Sequence, residues 1–190
     1  MVSPSSDGLQ RVVIDTDVAI AATSGPDDLS LREVARRAGV SHQAPYHHFK
    51  DREGLFAAIC REGYARLADV IAESGSESKE AMCLAYVRFA LGNKGHFRVM
   101  FRSDICNLEH YPDALAEADR AFGALTDFVV GEVGPEATLD EIRTHATYLW
   151  SVAHGLATLL LDGPLEKKIG PVGDVDEFVM NVARLATRSS

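Results

Sequence analysis

Three of the chain's seven histidines and five of its 19 lysine and arginine side chains fall between Ser30 and Arg52. The five are Arg32, Arg36, Arg37, Lys50 and Arg52, and only Glu33 and Asp51 oppose them. Elsewhere the balance reverses, with 14 basic side chains against 26 acidic ones. Guanidinium, ammonium and imidazole groups bind phosphate, and a basic island on an acidic protein concentrates that attraction in one place. Basic side chains on a short helix also suit a merely solvated face, so the charge count alone leaves both readings open.

A second set that could do chemistry is His96, Asp104, His110, His145 and His154, read as metal ligands in a helical bundle. Spacing argues against it. His145 and His154 are nine residues apart, which at about 100° per residue turns them to nearly opposite faces of one helix. The Glu-x-x-His motif of such bundles is missing, as are a Gly-rich phosphate loop, a nucleophile elbow and a His-Glu-x-x-His motif. Cys60, Cys83 and Cys106 are odd in number and far apart, which fits no metal-spaced pair and no disulfide framework and suits a reducing cytoplasm. The expectation is a protein that is not an enzyme and holds no cofactor or metal.

Which elements carry these groups follows from pattern and punctuation. At 190 residues, 46% hydrophobic and 25% charged, the chain can bury a sizeable core. No apolar run approaches the ~18 residues of a membrane span, and no secretory signal is evident, so a cytoplasmic protein without membrane association is expected. Alternating strand patterns are missing, and the reading is all-α with about nine helices, near 9–22, 30–38, 41–48, 51–73, 78–93, 95–103, 112–133, 139–162 and 174–188. The β-branched residues around Asp15 and Asp17 weaken the first. Ser30-x-x-Glu33 has the form of a capping box, Thr138-x-x-Glu141 and Asp174-x-x-Glu177 resemble it, and Gly39 ends the second helix. Ser41 then caps a third, where Pro45 predicts a tightened, 3₁₀-like first turn. Residues 74–78 form the clearest linker-like stretch, and Gly163 to Gly173 reads as a break. Two short helices about a Gly-containing turn, at 30–48, have the form of a helix-turn-helix, whose second helix enters the DNA major groove.

The string Leu31-Arg32-Glu33-Val34-Ala35, Ala38-Gly39-Val40-Ser41, Tyr46-x-His48-Phe49 and Arg52-Glu53-x-Leu55 resembles the N-terminal domain of the tetracycline-repressor (TetR) family. Trp150 to Gly155, with His154, is similar to a family branch named for a Trp-His-Gly signature. The resemblance implies a three-helix DNA-binding domain over 7–56 and a helical domain for ligand binding and dimerisation over 57–190. It implies a homodimer that binds an inverted-repeat operator in double-stranded DNA and responds to a small, mainly apolar ligand, most simply as a repressor. A regulator controlled by a protein partner instead of a ligand is the alternative. By the resemblance, His42, Gln43, Ala44 and His47 face base edges, where Gln43 can pair with adenine and the Ala44 methyl can touch thymine. Arg32, Ser41, Tyr46, His48, Lys50 and Arg52 complete the expected DNA-binding set. Arg36 and Arg37 read as solvated or ion-paired, and Phe49 as core. The expected ligand-binding residues are Tyr86, Phe89, Phe97, Met100, Phe101, Phe122, Trp150 and His154. Leu156, Leu159 and Leu160, with the small Ala153, Gly155 and Ala157, suit a close helix pair at the dimer seam.

Overall fold

A computed structural model describes residues 6–27, 29–74 and 78–187. Among them are ten α-helices and no strand: α1 Ser6–Ser24, α2 Leu31–Ala38, α3 Ala44–Phe49, α4 Arg52–Ser74, α5 Lys79–Gly92, α6 Lys94–Met100, α7 Pro112–Val133, α8 Leu139–Leu161, α9 Pro164–Ile169 and α10 Val175–Thr187, with a 3₁₀ turn at Leu108–His110. The centre of the linker-like stretch, 75–77, lies outside the described residues. The expected all-α architecture is present, with one more helix than the pattern indicated. That helix is α9, inside the Gly-rich break. Gly163 turns with φ 72°, Pro164 starts the helix, and Glu166 near its N-terminus with Lys167 and Lys168 near its C-terminus complement the helix dipole. α1 is continuous despite its β-branched residues.

The described residues divide into two compact units, one holding those up to Tyr64 together with Asn93–Ala118, the other Ala65–Gly92 together with those from Asp119. In the first, Val13, Ile14, Val34, Phe49, Leu55, Phe56, Ile59 and Val99 form one core. Gly95 lets α6 lie directly on α1, since a Cβ there would stand 2.1 Å from the Val18 carbonyl oxygen. Arg98 donates to the carbonyls of Ala21 (3.2 Å) and Ala22 (2.7 Å) in the last turn of α1, the first of which also accepts from the Gly25 amide at 3.2 Å. Tyr64 donates to the Met100 carbonyl at 2.6 Å. Cys60 and Cys106, distant in sequence, meet in this core, where the shared hydrogen bond and burial push the Cys60 thiol up. In the second unit α5 packs against α8 and α10. There Arg88 pairs with Asp176, Tyr148 donates to the Ala186 carbonyl, and the Thr138–Glu141 capping box closes in both directions.

Asp17 is the outlier of the first core. It is fully buried, and among the described residues neither carboxylate oxygen has a hydrogen-bond partner. Burial pushes its pKa up to about 7, opposed by the charge of Arg52, whose Nε is likewise buried with no hydrogen-bond partner among the described residues. The folded pKa lies above the unfolded one, so the folded state binds the extra proton. Asp17 therefore contributes most to stability below pH 4. Its contribution falls by up to about 1.4 kcal/mol per pH unit as the pH rises toward 7, and is exhausted above that. Thermal unfolding of wild type and Asp17→Asn across pH 5–8 checks this: the substitution is expected to remove most of the decline, and parallel curves would contradict it.

Candidate nucleic-acid interface

The first helix of the pair is closed at both ends by local chemistry. The Ser30 hydroxyl accepts from the Glu33 amide at 3.2 Å. The reciprocal half of the expected capping box is replaced, because the Glu33 carboxylate is taken by Arg36 (2.6 and 2.8 Å) and Arg37 (2.7 Å). Hydrogen bonding from Arg36 and then Arg37 holds that carboxyl down at about 2. These two arginines are ion-paired, as the pattern implied. At the C-terminus Gly39 adopts φ 68°, ψ 27°, which a Cβ would oppose, and the Val40 amide reaches back to the Ala35 carbonyl at 3.0 Å. Leu31, Val34 and Ala35 are buried.

The second helix starts at Ala44, three residues later than Ser41, the expected cap. Ser41 supplies only its carbonyl, which accepts from the Ala44 amide at 3.0 Å in a 3₁₀-type turn, and Gln43 occupies the N-cap. Pro45 dictates this. It has no N–H for an i→i−4 bond and fits only the first turn of a helix. Ser41, His42, Gln43, Tyr46 and His47 are exposed and His48 is half-buried beside the Phe49 ring. Ala44, expected at base edges, is instead buried with Pro45 and Phe49, because the late start turns its methyl inward.

Beyond Phe49 the chain reverses within one residue. Lys50 has φ 62°, ψ −53°, and the Asp51 amide donates across it to the Phe49 carbonyl at 2.6 Å. This is a γ-turn of positive φ, a rare and strained form. The same carbonyl leaves no room for a side chain at residue 54, where a Cβ on Gly54 would stand 2.1 Å from it. Lys50 is exposed, and so is Arg32 at the start of α2; among the described residues no acidic partner is recorded for either. Arg52 is placed differently from the expected phosphate contact. It is half-buried, donates to the carbonyls of Pro26 (2.7 Å) and Asp27 (3.1 Å) and lies over the Phe56 ring at 4.8 Å. It closes the loop between α1 and α2.

The eight residues expected to bind ligand do not share one unit. Phe97, Met100 and Phe101 belong to the first, where Phe101 packs edge-on against Phe97 and Tyr64. Tyr86, Phe89, Phe122, Trp150 and His154 belong to the second. There the Trp150 Nε1–H donates to the Tyr86 hydroxyl at 3.3 Å, which leaves its own proton for His154 Nδ1 at 2.9 Å. Phe122 meets Trp150 edge-on, and both are about two-fifths exposed. Burial lowers the His154 pKa, which favours the neutral imidazole this chain of bonds requires. Phe89 is buried on α5.

A short helix that ends a helix-turn-helix, offers polar side chains outward and is flanked by unpaired cations defines a DNA-binding protein of the all-α class. Residues 14–59 match the family of bacterial regulatory proteins of the tetR family, and residues 80–185 match the tetracyclin repressor-like C-terminal domain. The chain belongs to the TetR family of transcriptional regulators. The HTH-type transcriptional repressor AcnR of Corynebacterium diphtheriae is 29% identical over 173 residues, covering 89% of this chain and 86% of its own. A protein of unknown function from Rhodococcus sp. RHA1 superposes with TM-score 0.74 at 28% identity, over 95% of this chain and 94% of its own. A tetR-family regulatory protein from Rhodococcus RHA1 shares the fold, with TM-score 0.72 at 18% identity over 98% and 97%. No helix among the described residues is long and apolar enough to cross a membrane.

The γ-turn makes a prediction separable from DNA binding. Lys50→Gly should release about 1–3 kcal/mol of backbone strain and cost about 0.5–1 kcal/mol in unfolded-chain entropy. A net gain near 1 kcal/mol in denaturant unfolding is expected, together with weaker DNA binding. A loss of stability would show that this turn is unstrained.

Proposed function

We propose that the chain is a ligand-responsive repressor that binds an inverted-repeat operator as a homodimer. The observation that carries the reading is the exposed row of Ser41, His42, Gln43, Tyr46 and His47, flanked by Arg32 and Lys50, on a protein that pairs several of its other arginines with acids. Arg11, Arg36, Arg37, Arg88, Arg102 and Arg120 each hold a carboxylate. In this reading His42, Gln43 and His47 meet base edges, while Arg32, Tyr46, His48 and Lys50 hold the phosphates that set their register. Repression agrees with the Corynebacterium diphtheriae relative, which is a transcriptional repressor.

A dimer is supported by α8. From Thr144 to Leu161 it carries no Asp, Glu, Lys or Arg, and its exposed side includes Tyr148, Ser151, Gly155 and Leu159. Such an apolar, partly small-residue strip suits a second copy of the same helix about a two-fold axis. Of the residues expected at the seam, Ala153, Leu156 and Ala157 are buried within their own chain, Leu160 is half-buried, and Gly155 and Leu159 remain for the partner. Leu185 on α10 is 67% exposed and extends the strip's apolar character to a second helix. The Tyr86, Phe122, Trp150 and His154 cluster supports a ligand site, since it joins aromatic surface to a few convergent polar groups. Trp150, His154 and Gly155 are also what favours the Trp-His-Gly branch. A ligand that binds better to the DNA-incompetent arrangement of the dimer shifts the population away from the operator.

The test is selection of binding sites from random DNA by the purified protein, followed by footprinting. Two-fold symmetric protection is expected. Gln43→Ala should relax preference at one base position in each half-site by about 1–3 kcal/mol, and Lys50→Ala should weaken all sequences and flatten the salt slope by about one. An asymmetric footprint from a monomer, or the same effect of both substitutions on every sequence, would overturn the assignment.

A further inference from the structure

A groove of about 340 Å³ opens on the first unit, beside the end of α3. α4 forms its floor from Gly54 to Arg61, residues 48–50 form one wall, and residues 110–114 form the other. Its lining shares no residue with the Tyr86, Trp150 and His154 cluster, and its volume lies at the small end of the range for small-molecule sites.

Charge is arranged along the groove. At 1.5 Å per residue, Gly54 to Arg61 spans about 10 Å of α4. Lys50 stands by the N-terminal end of that span and Arg61 at the other, both exposed and, among the described residues, with no acidic partner recorded. Between them lie Ala57 and Ala58, both small and apolar, with Tyr111 opposite. Burial, together with Asp51 and Glu53, pushes the Tyr111 hydroxyl up to about 12, so it remains a donor at neutral pH. Asp113 is the one carboxylate in the lining, against Lys50 and Arg61, while the His110 ring there faces the Glu53 carboxylate at 3.7 Å. Two cations at the ends of an apolar trough, with a hydroxyl donor alongside, match a molecule that is anionic at both ends and apolar between.

We propose that this groove binds an elongated organic dicarboxylate, its two carboxylates held by Lys50 and Arg61 and its hydrocarbon middle lying on Ala57 and Ala58. Such a ligand takes Lys50 and covers His48, so it competes with the DNA backbone. That coupling rests on the DNA-binding reading above, whereas binding itself does not.

The probe is suberate, the eight-carbon α,ω-dicarboxylate, titrated into the full chain by calorimetry without DNA. Binding is expected, and octanoate, which lacks one carboxylate, should bind roughly tenfold more weakly, the loss of one hydrogen-bonded charge contact. Arg61→Ala, which disturbs no recorded contact, should weaken suberate by a similar factor with an unchanged circular-dichroism spectrum. Asp113→Asn should tighten it. No binding in the millimolar range, or equal affinity for wild type and Arg61→Ala, overturns the proposal. A second arm follows fluorescence anisotropy on a selected DNA site. Suberate should lower DNA affinity for wild type, and Arg61→Ala should need roughly tenfold more of it for the same loss; calorimetric binding without any loss of DNA affinity overturns the competition. Were no DNA selected at all, the DNA reading would fail, and the calorimetric arm would still decide the groove.

Discussion

Everything α3 presents depends on the one-residue reversal between Phe49 and Gly54. Phe49 is pulled into the core, its carbonyl is pinned by the Asp51 amide and against Gly54, and Lys50 takes a positive φ to let this happen. With that end anchored and Ala44 and Pro45 buried at the other, a helix of only six residues has its rotation set by three inward side chains. Such a helix has little intrinsic stability, so tertiary anchoring carries nearly all of it. The exposed row from Ser41 to His47 follows from that anchoring. The late start required by Pro45 places Ser41, His42 and Gln43 in the turn ahead of the helix, where their side chains project outward.

Charge pairing refines the electrostatic picture. A net charge of −9 opposes DNA as a whole. The acids are not idle, however, since many neutralise the arginines of the same surface, as Glu33 does for Arg36 and Arg37. Arg52 is withdrawn into loop closure and is not a surface charge in the same sense. What remains beside the exposed row is Arg32 and Lys50. The local positive field is therefore carried by fewer groups than a sequence count of five suggests, and each should matter more.

Much of this was legible in the residues. Caps and breakers at Ser30, Gly39, Thr138 and Asp174 located helix ends because their chemistry is local, and the Glu177 amide does bond Asp174 at 3.0 Å. The tightened entry to α3 followed from Pro45 alone. Other features were hidden or easily misread, for different reasons. α9 was hidden because Gly and Pro mark turns and helix starts alike. The burial of Asp17 was signalled, since it shares an i, i+4, i+8 stripe with Val13 and Ala21, but an acidic residue on an apolar stripe is easily read as a flaw in the helix. The fate of Arg52 and the division of the aromatics between two units depend on contacts distant in sequence, and no spacing rule reaches those. Phe97 and Met100 looked like members of the later bundle until Gly95 and Arg98 placed α6 on α1.

The DNA-reading surface proposed above is the anchored turn and helix from Ser41 to Lys50. Hydrogen–deuterium exchange of the full protein, alone and with a DNA site it has selected, tests this most directly. New protection is expected to concentrate in residues 41–50 and at the start of α2, with the sequence around Thr144 to Leu161 unchanged by DNA in an already dimeric protein. Protection that leaves residues 41–50 untouched would contradict it.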